Sequence, residues 1–260
     1  MRSTRSSRAT RVRRAAAATA ALFALAALGA TQSSAAPHTT TVSGVTVRVE
    51  GLTTTLLPRT TLTLHATKFS KDGLAADSCS GLSVLGALQE ATGGDFNGTW
   101  SKSYDGYFIT SILGVAYKST ASYYWSLWVN DKPATAGACA IDPKPGSSIL
   151  FFPQYDGSNK KLLKPGVLGV AGPTSALLGK PFTLTVYSYA NANGQRSPAS
   201  GASVTAQGQS VSTQPTGRAS LTLSFPGDTP IEVSAPNSIR TEATVCIHAP
   251  GKTCKAPYSY

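Results

Sequence analysis

The residues able to do chemistry in this 260-residue chain are few and scattered. Its three histidines, His38, His65 and His248, lie far apart. A zinc hydrolase places two histidines close together on one element, as in H-x-x-x-H or H-E-x-x-H, so that both imidazoles reach one ion. No such pair occurs. The nucleophile elbow G-x-S-x-G is absent as well. Ser158 and Lys161 stand at S-x-x-K spacing, but in a basic, aperiodic stretch. A catalytic Ser–Lys pair needs a rigid, partly buried lysine of lowered pKa. Asp95-Phe96-Asn97-Gly98 opens like a calcium loop, yet the later oxygen ligands and the closing Glu are missing, which leaves an ordinary Asn-Gly turn. These patterns argue against an enzyme, a resident metal and a cofactor.

The four cysteines fall in two groups, Cys79 with Cys139 and Cys246 with Cys254. In an exported chain they read as two disulfides, for which three connectivities exist. Local pairing, Cys79–Cys139 and Cys246–Cys254, is the simplest. In the loop-entropy model the first bridge contributes roughly 4 kcal/mol and the second roughly 2–3 kcal/mol.

Aromatic residues carry the remaining signal. Trp100, Tyr104, Tyr107, Phe108, Tyr117, Tyr123, Tyr124, Trp125 and Trp128 crowd into one stretch. In a strand, Trp125, Leu127 and Val129 share one face while Tyr124, Ser126 and Trp128 share the other. Assigning the first set to the core leaves Tyr124 and Trp128 on an open sheet face, beside Tyr107 or Phe108. Tyr107, Tyr124 and Trp128 are therefore the expected ligand-binding residues. Exposed Trp and Tyr on a flat surface suit a sugar, a tetrapyrrole or a protein. The competing expectation is a second small core, or packing against the module that follows.

The elements that must position these residues begin after an export segment. Six arginines precede a 16-residue apolar run, Ala15–Ala30, with small residues behind it. This is the pattern of a secretory signal peptide, assigned to residues 1–35 with cleavage after Ala35. The run is shorter than the roughly 20 residues of a spanning helix, so no membrane span is expected after cleavage. Removing the arginines leaves 17 basic residues against 12 acidic ones, a net charge of +5. That modest charge removes the electrostatic case for nucleic acid. The expected location is extracellular, with association to the cell envelope or cell surface as a variant.

A basic stretch ending in Pro165-Gly166 breaks the composition: all three Trp precede it. It divides the chain into a module at 41–156, a linker at 157–165, a module at 166–248 and a tail at 249–260. The first module opens with Val42, Val45, Val47 and Val49, then Leu62 and Leu64, both strand-like. Leu82, Leu85 and Leu88 predict an amphipathic helix, capped near Ser78–Ser80 and ended by Gly93-Gly94. Strands are predicted at Tyr107–Ile112, Tyr123–Val129 and Ile149–Phe152. Two strands, a helix and three strands is the order of an α+β β-grasp. The second module predicts six short strands separated by Gly, Pro and Asn clusters, the pattern of an all-β sandwich.

Several stretches of the first module match a known pattern in order and spacing. They are Ser83-Val84-Leu85-Gly86-Ala87-Leu88, Gly106-Tyr107-Phe108-Ile109-Thr110-Ser111-Ile112, Tyr124-Trp125-Ser126-Leu127-Trp128-Val129-Asn130, Gly137-Ala138-Cys139 and Pro145-Gly146-Ser147-Ser148-Ile149-Leu150-Phe151. Over roughly residues 43 to 155 the chain resembles the secreted bacterial modules similar to the C-terminal β-domain of transcobalamin and intrinsic factor. The resemblance implies a β-grasp fold and a binding role. In the vitamin carriers a helical barrel supplies the other half of the site, and this sequence shows no counterpart. The second module, through Pro198-Ala199-Ser200-Gly201-Ala202-Ser203-Val204-Thr205 and Pro215-Thr216-Gly217-Arg218-Ala219-Ser220-Leu221, resembles bacterial immunoglobulin-like stalk domains. The resulting expectation is a secreted, non-enzymatic binding protein for a small ligand (corrinoid-like among the choices), a glycan or a protein. The alternative is a structural cell-envelope or adhesion protein with spacer modules.

Overall fold

The computed structural model describes residues 40–117, 122–155, 157 and 165–254. The expected signal peptide at 1–35, most of the expected linker and the end of the tail lie outside the described residues, as do His38, Ser158 and Lys161.

The N-terminal half opens with β1 (Thr41–Glu50) and β2 (Thr55–His65). Two short strands follow, β3 (Lys68–Phe69) and β4 (Cys79–Ser80), with a 3-10 turn at Ala75–Asp77 between them. Helix α1 (Val84–Ala91) comes next. β5 (Phe96–Ser101), β6 (Gly106–Ile112) and β7 (Val115–Ala116) form a small antiparallel sheet of their own. β8 (Tyr123–Val129), β9 (Lys132–Pro133) and β10 (Ser148–Tyr155) join the first two strands in a sheet of order β2-β1-β10-β8-β9.

Alternation along β1 makes this sheet two-sided. Val45, Val47 and Val49 point into one core together with Ile149 and Phe151 of β10 and Trp125 of β8. Helix α1 adds Val84, Leu85, Ala87 and Leu88 to that core. The opposite face of the same strands carries Arg48, Trp128, Leu150 and Phe152, which are buried too.

The C-terminal half supplies the cover. It begins with β11 (Gly166–Ala171), β12 (Ser175–Leu177), β13 (Pro181–Tyr189), β14 (Arg196–Pro198) and β15 (Ser203–Ala206). It continues with β16 (Gln209–Ser212), β17 (Arg218–Thr222), β18 (Gly227–Ser234), β19 (Ser238–Ile239) and β20 (Thr241–His248). One sheet runs β14-β13-β11-β19, with β17 also on β13; the other runs β12-β20-β18-β15-β16. Leu168, Leu184, Val186 and Leu221 of the first sheet meet Val204, Ile231, Val233 and Val245 of the second in one core.

The expectation of an α+β β-grasp does not hold; the described chain is all-β in character, with twenty strands in five sheets. The reason is local. The leucine spacing sustains a helix of only eight residues. Cys79 and Ser80, expected in its first turn, pair as a strand with Phe69 and Lys68. The cap is Ser83, whose Oγ accepts from the Gly86 amide at 3.1 Å. β6, expected in the main sheet, pairs with β5 and β7 instead. Asn97-Gly98, expected as a turn, lies within β5 at a register shift. A Cβ on Gly98 would stand 2.9 Å from the Phe108 carbonyl oxygen, so only glycine admits this approach.

The two halves meet along a packed seam. Trp128, Leu150 and Phe152 form a third core with Val167, Tyr189 and Ile239. Beside it Glu50 receives Arg48 at 3.2 Å and Arg240 at 2.8 Å, one arginine from each half. Arg48 also donates to the Arg240 carbonyl. Burial pulls the Arg48 guanidinium down to about 10, against the opposing pull of Glu50. Burial likewise pushes the Glu50 carboxyl up, and Arg48 and Arg240 oppose it. The Arg59 amide donates to the Glu242 carboxylate across the same seam.

Candidate functional site

The part of the N-terminal half best prepared for contact is the β5–β6 hairpin and the loop 70–77 beside it. Trp100 pairs with Tyr107 and Ser101 with Gly106, so the hairpin ends in Lys102-Ser103-Tyr104-Asp105. The Tyr104 amide closes the turn on the Ser101 carbonyl at 3.2 Å. Asp105 adopts a positive φ of 45°, a conformation Asp tolerates better than most residues. The turn leaves the Tyr104 side chain 75% exposed.

The hairpin rests on a disulfide. Cys79 and Cys139 are bridged, and a Cβ on Gly106 would touch both Cβ and Sγ of Cys139 at 3.4 Å. The second bridge, Cys246–Cys254, closes the C-terminal loop, and all four cysteines are engaged.

Tyr107 fixes the neighbouring loop. The residue is only 6% exposed, and its ring meets Trp100 edge to face at 5.0 Å. Its hydroxyl accepts from the Lys71 amide at 2.9 Å. The hydroxyl proton is shared between the Asp77 carbonyl at 2.7 Å and the Asp72 carboxylate at 3.1 Å. Lys71 Nζ donates to the Gly94 carbonyl at 2.7 Å and lies over the Phe96 ring. Within the loop, Asp72 accepts from Ser70 Oγ at 2.6 Å and from the Leu74 amide at 3.0 Å. These two bonds, Ser70 first, pull the Asp72 carboxyl down to about 2. Desolvation and the adjacent Asp72 carboxylate push Asp77 up. Tyr107 stands on β6 directly after the hairpin tip, so the bonds to its hydroxyl tie the loop to the base of that hairpin. Held this way, Leu74 presents 58% of its surface to solvent.

The three expected ligand-binding residues do not converge. Tyr107 is the buried anchor just described, so its role here is to position the loop. Trp128 is 1% exposed and is covered by the C-terminal half, so it does not stand on an open face; the competing expectation, packing against the module that follows, is the one the structure shows. Tyr124 is half-buried on the same side of β8, opposite Gln154. Tyr104 and Leu74 take the exposed positions instead. Phe108, on the strand face opposite Tyr107, is also exposed. The Asp105-Gly106 pair between Trp100 and Tyr107 was the available signal for a tip that holds Tyr104 outward.

The seam borders a groove of about 810 Å3 between β2 and the outer faces of β18 and β20. Arg59, Thr61, Asp228, Glu242 and Thr244 line it, without an aromatic residue. Of the histidines, His65 is exposed on β2, and His248 lies on β20 with Nδ1 3.2 Å from the Ala249 carbonyl oxygen. Among the described residues no group of three His, Cys, Asp or Glu side chains gathers as a metal site. Nor does any helix among them have the length and apolarity to cross a membrane.

Residues 81–152 match the family described as Domain of unknown function (DUF4430). The match runs from just before α1 into β10 and includes the hairpin tip, but neither the loop 70–77 nor the C-terminal half. No curated protein matches the chain. Among solved structures, a protein of Ruminococcus gnavus ATCC 29149 described as a candidate metal-binding protein is similar over 44% of this chain and 97% of its own. Its identity is 15% and its TM-score 0.30. Haptocorrin, in complex with Cbi, is similar over 44% of this chain and 25% of its own, at 19% identity and a TM-score of 0.33. At these values neither likeness carries a ligand or an activity across.

Proposed function

We propose that this chain is an exported, non-enzymatic binding protein that recognises its partner through the loop 70–77 and the β5–β6 tip. Export rests on the arginine-rich, apolar segment at 1–35, and two disulfides suit an oxidising compartment. The observation that carries the reading is the outward presentation of Tyr104 and Leu74 on a base pinned by Tyr107 and by Cys79–Cys139. A loop backbone already held in place loses less entropy on binding. A small ligand such as a corrinoid, a glycan and a protein are the partner classes to compare.

The test is a binding screen of the secreted protein against a corrinoid, wall-glycan fragments and peptides, run alongside the Tyr104→Ser/Leu74→Ser variant. Binding that the variant loses, with the fold kept, supports the reading. Binding the variant retains in full contradicts it. The alternative, a structural envelope or adhesion protein, predicts no ligand effect at these loops.

A further inference from the structure

We infer that the surface formed by the loop 70–77 and the β5–β6 tip accepts a polypeptide segment that combines aliphatic side chains with lysine or arginine. This rests on the reading that these loops are the recognition surface, and it names the class of partner.

The centre of the surface is aliphatic. Leu74, Ala75 and Ala76 are exposed in succession, and Tyr104 is exposed at the neighbouring tip. A sugar ring or a tetrapyrrole prefers a flat aromatic face to stack on. Trp100 and Tyr107 pack against each other edge to face with Tyr107 buried, and Phe108 stands on the opposite strand face, which leaves Tyr104 as a lone exposed ring at the tip beside the aliphatic residues. Aliphatic side chains of a protein segment fit small apolar contacts of this kind, with Tyr104 as the large anchor.

The rim is acidic. The two loops carry Asp72, Asp77 and Asp105, and the hydrogen bonds from Ser70 and the Leu74 amide favour the ionised form of Asp72. Of the two lysines on these loops, Lys71 is turned to the Gly94 carbonyl and the Phe96 ring. Lys102 is the remaining cation. The patch is therefore opposite in sign to the chain after signal removal. A like-charged rim on the partner would be repelled, and a basic one drawn in.

The test is fluorescence anisotropy on the full secreted protein with three labelled peptides of equal length, built from Lys and Leu, from Glu and Leu, and from Lys and Ser. The Lys/Leu peptide is expected to bind at least about tenfold more tightly than either comparator, and less tightly as salt rises. Tyr104→Ser and Leu74→Ser should each weaken it by about tenfold, with unchanged thermal midpoints. Asp105→Asn, which suits the positive φ, should reduce the salt dependence. If the Glu/Leu peptide binds equally and Tyr104→Ser abolishes it, the basic partner class is wrong while the recognition surface stands. If neither serine variant alters binding of any peptide, both fail. Concentration-dependent dimers that Tyr104→Ser dissolves would make a second copy of this chain the occupant and overturn the proposal.

Discussion

Trp128 of the N-terminal half meets Tyr189 of the C-terminal half edge to face, with ring centroids 6.2 Å apart and planes at 81°. Phe152 flanks the same indole at 5.8 Å. Tyr189 extends the contact by donating its hydroxyl proton to Asp131 at 3.1 Å. An indole that would face solvent in an isolated module thus becomes the centre of a joint between halves.

Trp128→Ala should therefore cost about as much as a core truncation, roughly 3–5 kcal/mol, similar to Trp125→Ala. All three tryptophans lie in the N-terminal half and Trp128 also touches the C-terminal half, so their fluorescence reports that half and the seam. In the parent protein the fluorescence and far-UV circular dichroism midpoints should coincide in denaturant. A Trp128→Ala protein as stable as its parent would show that the seam contributes little.

Gly194 tests the closeness of the same joint. Its φ is +68°, and a Cβ there would stand 2.6 Å from the Asp131 carbonyl oxygen. Gly201 has a similar φ of +71° with nothing within 4 Å of a Cβ. Gly201→Ala should cost about 1 kcal/mol, the strain of the left-handed conformation alone. Gly194→Ala should cost measurably more in thermal denaturation. Equal effects would mean that the halves do not press together at this turn.

The charged part of the seam makes a third prediction. Glu50 is the carboxylate partner of both Arg48 and Arg240. Glu50→Gln leaves the buried Arg48 without its counter-ion, an arrangement that costs roughly 3–5 kcal/mol. Chemical denaturation should show the loss. A near-neutral result would mean that Arg48 is adequately solvated without Glu50.

Alkaline pH should act through Tyr189. Desolvation first, and then the Asp131 charge, pushes its hydroxyl up to about 12. The ordinary value is about 10, so the unfolded chain ionises first. The contribution of Tyr189 is thus complete below pH 10 and is lost as pH rises towards 12. Thermal midpoints should fall through that window, and Tyr189→Phe should flatten the fall. An unchanged slope in the variant would remove Tyr189 as its cause.

The sequence made parts of this arrangement legible. Period-two alternation separated Trp125 from Trp128, and the two do enter different cores. Cysteine positions paired Cys79 with Cys139 and Cys246 with Cys254, because sequence neighbours on one module meet most easily. What covers a strand face is a tertiary matter that periodicity does not encode, so the sequence left an open face and packing against the next module as alternatives for Trp128 and did not point to Tyr189. The leucine spacing announced a helix, but the pairing of Cys79 with Phe69 shortened it. Strand order alone did not tell that β6 leaves the main sheet. Tyr107 was marked by its residue type, yet its function depends on a hydroxyl that reaches a loop some thirty residues upstream in sequence.

Amide chemical-shift mapping tests the central claim most directly. The uniformly 15N-labelled protein would be titrated with the Lys/Leu peptide and, separately, with a corrinoid. The account predicts that the peptide shifts cluster at 72–77 and 101–106, and that Tyr104→Ser abolishes them. Shifts confined to the groove beside Arg59 and Glu242, or shifts at the tip that persist in Tyr104→Ser, would contradict it.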